Sequence, residues 1–216
     1  VAIIWKTARL GQDVAVTCSG SERGAWIHNL YIGSQGTPSN ATITATSPFV
    51  ALEVFRTTEV YGAGNSVPSI VATADDSQGG YASTGAILRR PVLNNTMVSA
   101  AALSATQPTT GLKIYDTHNG YDGTPDPARQ VYFESSTLHA KGTAVGVHFA
   151  TTDEVPFVQG TIQAEVEHPA GVSDLSAGIV SIGGAYHFID STVDASGGNY
   201  GWLSNQDDEG NDKYAT

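Results

Sequence analysis

Three stretches of the 216-residue chain set carboxylates beside aromatic rings, or gather rings among turn residues. They are 74–81 (Ala74-Asp75-Asp76-Ser77-Gln78-Gly79-Gly80-Tyr81), 115–126 (Tyr115-Asp116-Thr117-His118-Asn119-Gly120-Tyr121-Asp122-Gly123-Thr124-Pro125-Asp126) and 199–202 (Asn199-Tyr200-Gly201-Trp202). Carboxylates and rings are the groups that cleave and hold sugars, and glycoside hydrolysis takes two carboxyl groups about 5 to 9.5 Å apart. Asp116, Asp122 and Asp126 are the catalytic candidates, with Asp75 or Asp76 as partner. Tyr81, Tyr115, Tyr121 and Tyr132 offer stacking faces, and His139 a polar contact, for a bound substrate. A plainer reading stands beside this one, because Asn-Gly and Asp-Gly are also what tight turns require.

Other chemistries find less support. The 116–122 segment alternates polar residues as a calcium loop does, but lacks the terminal bidentate Glu. The acidic run 207–212 reads as a solvated tail. The six histidines form no His-x-x-x-His pair, so a zinc enzyme is disfavoured, and no Gly-x-Ser-x-Gly elbow occurs. No metal and no cofactor are expected. Lys113 and Lys141 are the bases nearest the long loops.

Composition narrows the partners. A net charge of −11 leaves no basic cluster to release counterions from a nucleic-acid backbone. The one basic pair, Arg89-Arg90, suits a corner of the fold. Cys18 is alone, so no intramolecular disulfide can form. No run of about 18 apolar residues is present, so membrane insertion by a helix is not expected. The chain starts at Val1, which suggests a processed product or a piece of a longer protein.

The elements that would position these residues are short strands. A motif recurs at Asn29-Leu30-Tyr31, Glu59-Val60-Tyr61, Asn95-Thr96-Met97, Ser136-Thr137-Leu138, Gly160-Thr161-Ile162 and Ser191-Thr192-Val193. Its apolar anchors Leu30, Val60, Met97, Leu138, Ile162 and Val193 are 30, 37, 41, 24 and 31 residues apart. A constant strand with loops of varying length points to restacked repeats. Two further strands accompany each anchor, such as Val145-Gly146-Val147-His148 and Pro156-Phe157-Val158, bounded by Gly, Asn, Asp, Ser and Pro. With 24 Gly and 9 Pro, long helices are not expected. The pattern predicts an all-β, right-handed, single-stranded parallel β-helix of about six coils, with a jelly roll or sandwich as competitor. Its expected limits are a lead-in segment or N-terminal cap at 1–24, the β-helix at 25–196 and a polar acidic tail at 197–216.

The strand Trp26-Ile27-His28-Asn29-Leu30-Tyr31-Ile32-Gly33 and the Thr-centred copies such as Asp190-Ser191-Thr192-Val193-Asp194-Ala195 resemble the coil strands of pectin-lyase-like β-helix proteins. That superfamily includes polysaccharide lyases, glycoside hydrolases, adhesins and bacteriophage tailspikes. The Asn-Thr-Asp, Gly-His-Gly and Arg-Ile-Lys signatures of polygalacturonases are absent, as is an Arg-bearing pectate-lyase motif, so no catalytic residue carries over. Irregular coils, an acidic surface and a lone Cys make a phage tailspike or tail-fibre fragment the nearest likeness. The resemblance implies a receptor-binding module on a virion tail, homotrimeric, that binds and in some members depolymerises a bacterial surface polysaccharide. A secreted lyase or hydrolase of the same fold is the alternative, and a non-enzymatic adhesive or structural solenoid is the second.

Overall fold

The computed structural model describes residues 3–12, 14–76, 82–116, 131–151, 154–167, 176–206 and 211–215. These residues form twenty strands, from β1 (Ile3–Leu10) to β20 (Asn211–Ala215), and no helix. The fold is all-β, and every pairing is parallel except that of β19 (Tyr200–Gln206) with β20.

The smaller sheet stacks β2 (Ala15–Ser19), β4 (Thr42–Ser47), β6 (Pro68–Asp76), β9 (Met97–Ser104), β12 (Thr137–Gly142), β15 (Thr161–Val166) and β18 (Thr192–Ser196) in chain order. The larger sheet has two arms. One runs through β7 (Thr84–Arg89), β10 (Thr110–Tyr115), β13 (Val145–Ala150), β16 (Ala177–Ile182) and β19. The other runs through β8 (Pro91–Asn94), β11 (Tyr132–Glu134), β14 (Glu154–Val158) and β17 (Ala185–Ile189). Both arms meet at the long strands β3 (Arg23–Ile32) and β5 (Val50–Tyr61): Leu52 of β5 pairs with Ala86 of β7, and Val60 with Leu93 of β8. The chain therefore visits the small sheet, the first arm and the second arm in cyclic order.

Alternation explains which residues face the core, since successive side chains on a strand point to opposite faces. In the small sheet the register aligns Val16, Ile43, Ile70, Val98, Leu138, Ile162 and Val193 in one column. Two residues on lies a column of small side chains, Cys18, Ala45, Ala72, Ala100, Ala140, Ala164 and Ala195. Cys18 is thus a small core residue, and burial pushes its thiol pKa up. The second arm contributes Val60, Leu93, Phe133, Phe157 and Phe188, with Phe133 and Phe157 stacked at 4.4 Å. Burying one such side chain stabilises by about 1.5–3 kcal/mol.

Corners need special residues. Where the small sheet meets the first arm, the backbones approach so closely that a Cβ on Gly111 would lie 2.6 Å from Lys141 N, and one on Gly85 2.5 Å from Gly111 O. At the corner after the second arm, Asn95, Ser135, Gln159 and Asp190 each take a left-handed φ near +50°. Small residues follow them: Thr96 and Ser136 are fully buried, and Thr96 Oγ1 donates to Ser69 Oγ at 2.6 Å. Arg90 turns the corner between β7 and β8 with φ +48°, and Pro91, with no N–H to offer, begins the next strand. Of the basic pair expected at a corner, Arg90 turns it and Arg89 ends β7 in register with Tyr115.

Three details of the sequence expectation change. Leu30 and Val60 belong to the larger sheet, because β3 and β5 run through the corner unbroken and hide one strand boundary in each repeat. Val98, not Met97, continues the small-sheet column. The expected limits at residues 25 and 196 fall inside continuous pairing, since β1 pairs with β3 and β19 with β16.

Candidate functional site

The predicted site residues fall on different parts of the molecule. Asp75 and Asp76 end β6, and Asp76 is buried. Tyr115 ends β10 and Asp116 follows it. The small sheet leads into the first arm, so the Asp75–Asp76 pair and Asp116 stand at opposite ends of that arm's strands. Tyr132 opens β11 on the second arm, where burial and Glu134 push its phenol pKa up. His139 lies on β12 of the small sheet, 3.5 Å from Glu165. Asp122, Asp126, Tyr81 and Tyr121 lie outside the described residues. Of the described candidates, Tyr115 joins a dense cluster of aromatic and charged side chains.

That cluster is the outer face of the first arm and of the halves of β3 and β5 that continue it. The register places Trp26, Glu53, Ile87, Lys113, His148 and Val180 in one outward column. The neighbouring column contains Arg89, Tyr115 and Ala150. Phe55 and His28 complete it at the β-bulge between β3 and β5, where the register shifts between Ile27 and Asn29. Trp26 and Phe55 meet edge to face at 4.8 Å, and His28 lies 5.8 Å from Phe55. Tyr115 and His148 are 6.4 Å apart.

Guanidinium groups cover several of these rings. Arg89 sits 4.6 Å from the centroid of Tyr115 and 6.0 Å from that of Phe55, while Arg23 sits 5.3 Å over Trp26. Glu53, almost fully buried, ties the two arginines together at 3.4 Å to Arg23 Nε and 3.7 Å to Arg89 Nη2. Desolvation nevertheless outweighs both cations and pushes the Glu53 pKa up, as burial of a carboxyl does. Burial likewise lowers the Lys113 pKa. His148 is pushed down to about 4 by burial and then by Lys113, so its imidazole is neutral at pH 7.

A planar guanidinium held by a ring and a carboxylate is a rigid hydrogen-bond donor, suited to oxygen-rich ligands. Catalytic geometry is less developed. The register sets Glu53 two strands from Lys113, and Asp116 lies three residues beyond it, so their backbones are roughly 14 Å apart. No group of three metal-ligating side chains occurs among the described residues. An open pocket of about 250 Å³, lined by Ser21, Glu22, Arg23 and Phe49, adjoins the Arg23 end of the face. Another of about 240 Å³ lies apart from it, beside Arg9 and Tyr31.

Sequence reading missed Trp26, Glu53, Phe55 and Arg89 as members of this site. The available signal was their position in outward alternation next to the apolar pairs Ile27, Val54 and Leu88, all core residues. No family model, no curated protein and no solved structure matches this chain.

Proposed function

We propose that the chain is a three-sided parallel β-helix that binds an extended polysaccharide along the outer face of the first arm. The cyclic order of the rows supports the coiled reading, and seven stacked strands in the small sheet enclose six circuits. Right-handed coiling follows from the general handedness of parallel crossovers.

The observation that carries the binding reading is the concentration of rings and cations on one outward face. Trp26, Phe55, Tyr115, Arg23, Arg89 and Lys113 span the strands from β3 to β10. Continued to His148, the row extends over four strand spacings, about 19 Å, a length suited to several linked sugars. The chemistry fits binding before cleavage, since stacked guanidiniums donate hydrogen bonds without supplying an acid–base pair. The viral setting, the homotrimer and the virion-tail location rest on the resemblance of the coil strands. A secreted lyase or hydrolase of the same fold is the alternative.

A second reading has its own observation. Glu53 is engaged by two arginines and the rings pack on one another, as they would on a purely structural face. Incubation with a panel of bacterial surface polysaccharides separates the readings. Co-elution of chain and intact polymer, lost in Trp26→Ala and Arg89→Ala, is the expected result. Shortened polymer or new unsaturated ends would favour the enzyme, and no retention of any polymer would favour the structural solenoid.

A further inference from the structure

Lys113 is the anomaly on this face. Its side chain is half-buried on β10, and among the described residues it has neither a hydrogen bond nor an ion pair. Its direct neighbour in register is His148, whose Nε2 is buried without a hydrogen-bond partner. On the other side, Arg89 leans over Tyr115 from the adjacent strand. One carboxylate at 3.7 Å does not use up the five donors of that guanidinium. A partly desolvated ammonium without a counter-ion costs free energy, and so does a buried nitrogen without a partner. Both costs fall on adjacent strands, at one place, in a chain whose net charge is −11. On the small sheet, by contrast, Lys141 meets Glu167 and His139 meets Glu165.

We propose that Lys113, with His148 and Arg89 beside it, forms a subsite for an anionic substituent, a carboxylate or sulfate group, of an acidic polysaccharide. This rests on the glycan-binding reading and narrows it to charged sugars. The oxyanion takes up the Lys113 ammonium directly, while the Arg89 fork holds a second oxygen and the adjacent His148 ring reports the bound charge. A salt-sensitive affinity follows, because a charge pair on a half-exposed face is screened.

The test uses the whole chain titrated with galacturonate, galactose 6-sulfate and galactose, followed through the imidazole NMR signals of His148. The expected result is a saturable shift with one or both acid sugars and none with galactose. Response to galacturonate alone assigns a carboxylate site, and response to the sulfate alone a sulfate site. Lys113→Met keeps the aliphatic stem and should weaken that response at least tenfold, with Lys113→Arg restoring much of it. Equal shifts with galactose, no shift with any sugar, or undiminished affinity in a folded Lys113→Met protein would overturn the subsite. The polymer panel is read separately. Acid sugars that move His148 while no polymer is retained would sink the polysaccharide reading and leave the subsite standing; retention of neutral polymers alone, with His148 silent, would do the reverse.

Discussion

The small sheet and the first arm obey the same rule on their inner faces and opposite rules on their outer ones. Outward columns of the small sheet read Thr17, Thr44, Val71, Ser99, His139, Gln163, Asp194 and Ser19, Thr46, Thr73, Ala101, Lys141, Glu165, Ser196. Hydroxyls and small groups dominate, and His139 and Lys141 meet the carboxylates of Glu165 and Glu167 at the surface. The first arm instead carries Trp26, Glu53, Lys113, His148, Arg89 and Tyr115 in the equivalent positions. Repeated packing constrains only what points inward, so the outward residues of each face are free to follow solubility or recognition. One face is dominated by hydroxyl and small side chains, and the other gathers rings, a buried carboxylate and a half-buried cation without an ion pair.

Breaking the shared inner rule should have the largest effect and should not discriminate between the faces. Phe133→Ala removes a ring stacked on Phe157 and should cost about 3–5 kcal/mol in denaturant unfolding. Gly111→Val forces a side chain into the Lys141 backbone, and a loss of the cooperative transition, or of more than about 3 kcal/mol, is expected.

Next come changes that touch the first-arm face alone. Glu53→Ala leaves Arg23 and Arg89 without their carboxylate in a largely buried spot, and a loss of about 1–3 kcal/mol should appear in the same assay. Acid titration sharpens the point. His148 has its pKa lowered from 6.5 to about 4, so between those values the unfolded chain takes up a proton that the folded one refuses. Stability therefore falls as pH drops through that window, by about 3 kcal/mol at the limit. Glu53 acts in the opposite direction: its raised pKa means the folded state binds the proton first, so its contribution is lost as pH rises through that raised value. Melting followed from pH 7 to 4 should thus be flatter in His148→Gln and steeper in Glu53→Gln.

The smallest effects belong to the small sheet. His139→Ala and Lys141→Ala remove exposed partners of Glu165 and Glu167, and should change stability by no more than about 0.5 kcal/mol. A larger loss in thermal unfolding would make that face structural.

The inward half of the architecture was largely readable. Leu138, Ile162 and Val193 stack as the spaced motif predicts, since each follows a one-residue left-handed corner and a small residue. The phase of the first repeats is hidden because the corner within β3 and β5 has no turn residue to mark it. A better phase marker went unused: Gly24, Gly85, Gly111, Gly146 and Gly178 each precede an inward apolar residue, and an added Cβ at any of them would meet atoms of the adjoining strands closer than 3.0 Å. The site was less legible. Its members from Trp26 to His148 are scattered over more than a hundred residues, and only the register collects them. The Asp-rich loops stand out in the sequence because their residues are adjacent, a property unrelated to which strands stack.

The most direct test of the account compares the two outer faces for binding to one retained acidic polysaccharide. Wild type, Arg89→Ala on the first arm and Lys141→Ala on the small sheet are measured side by side at low salt. The account predicts at least a tenfold loss for Arg89→Ala and wild-type affinity for Lys141→Ala. Equal affinity in the folded Arg89→Ala protein, or a loss confined to Lys141→Ala, would contradict it.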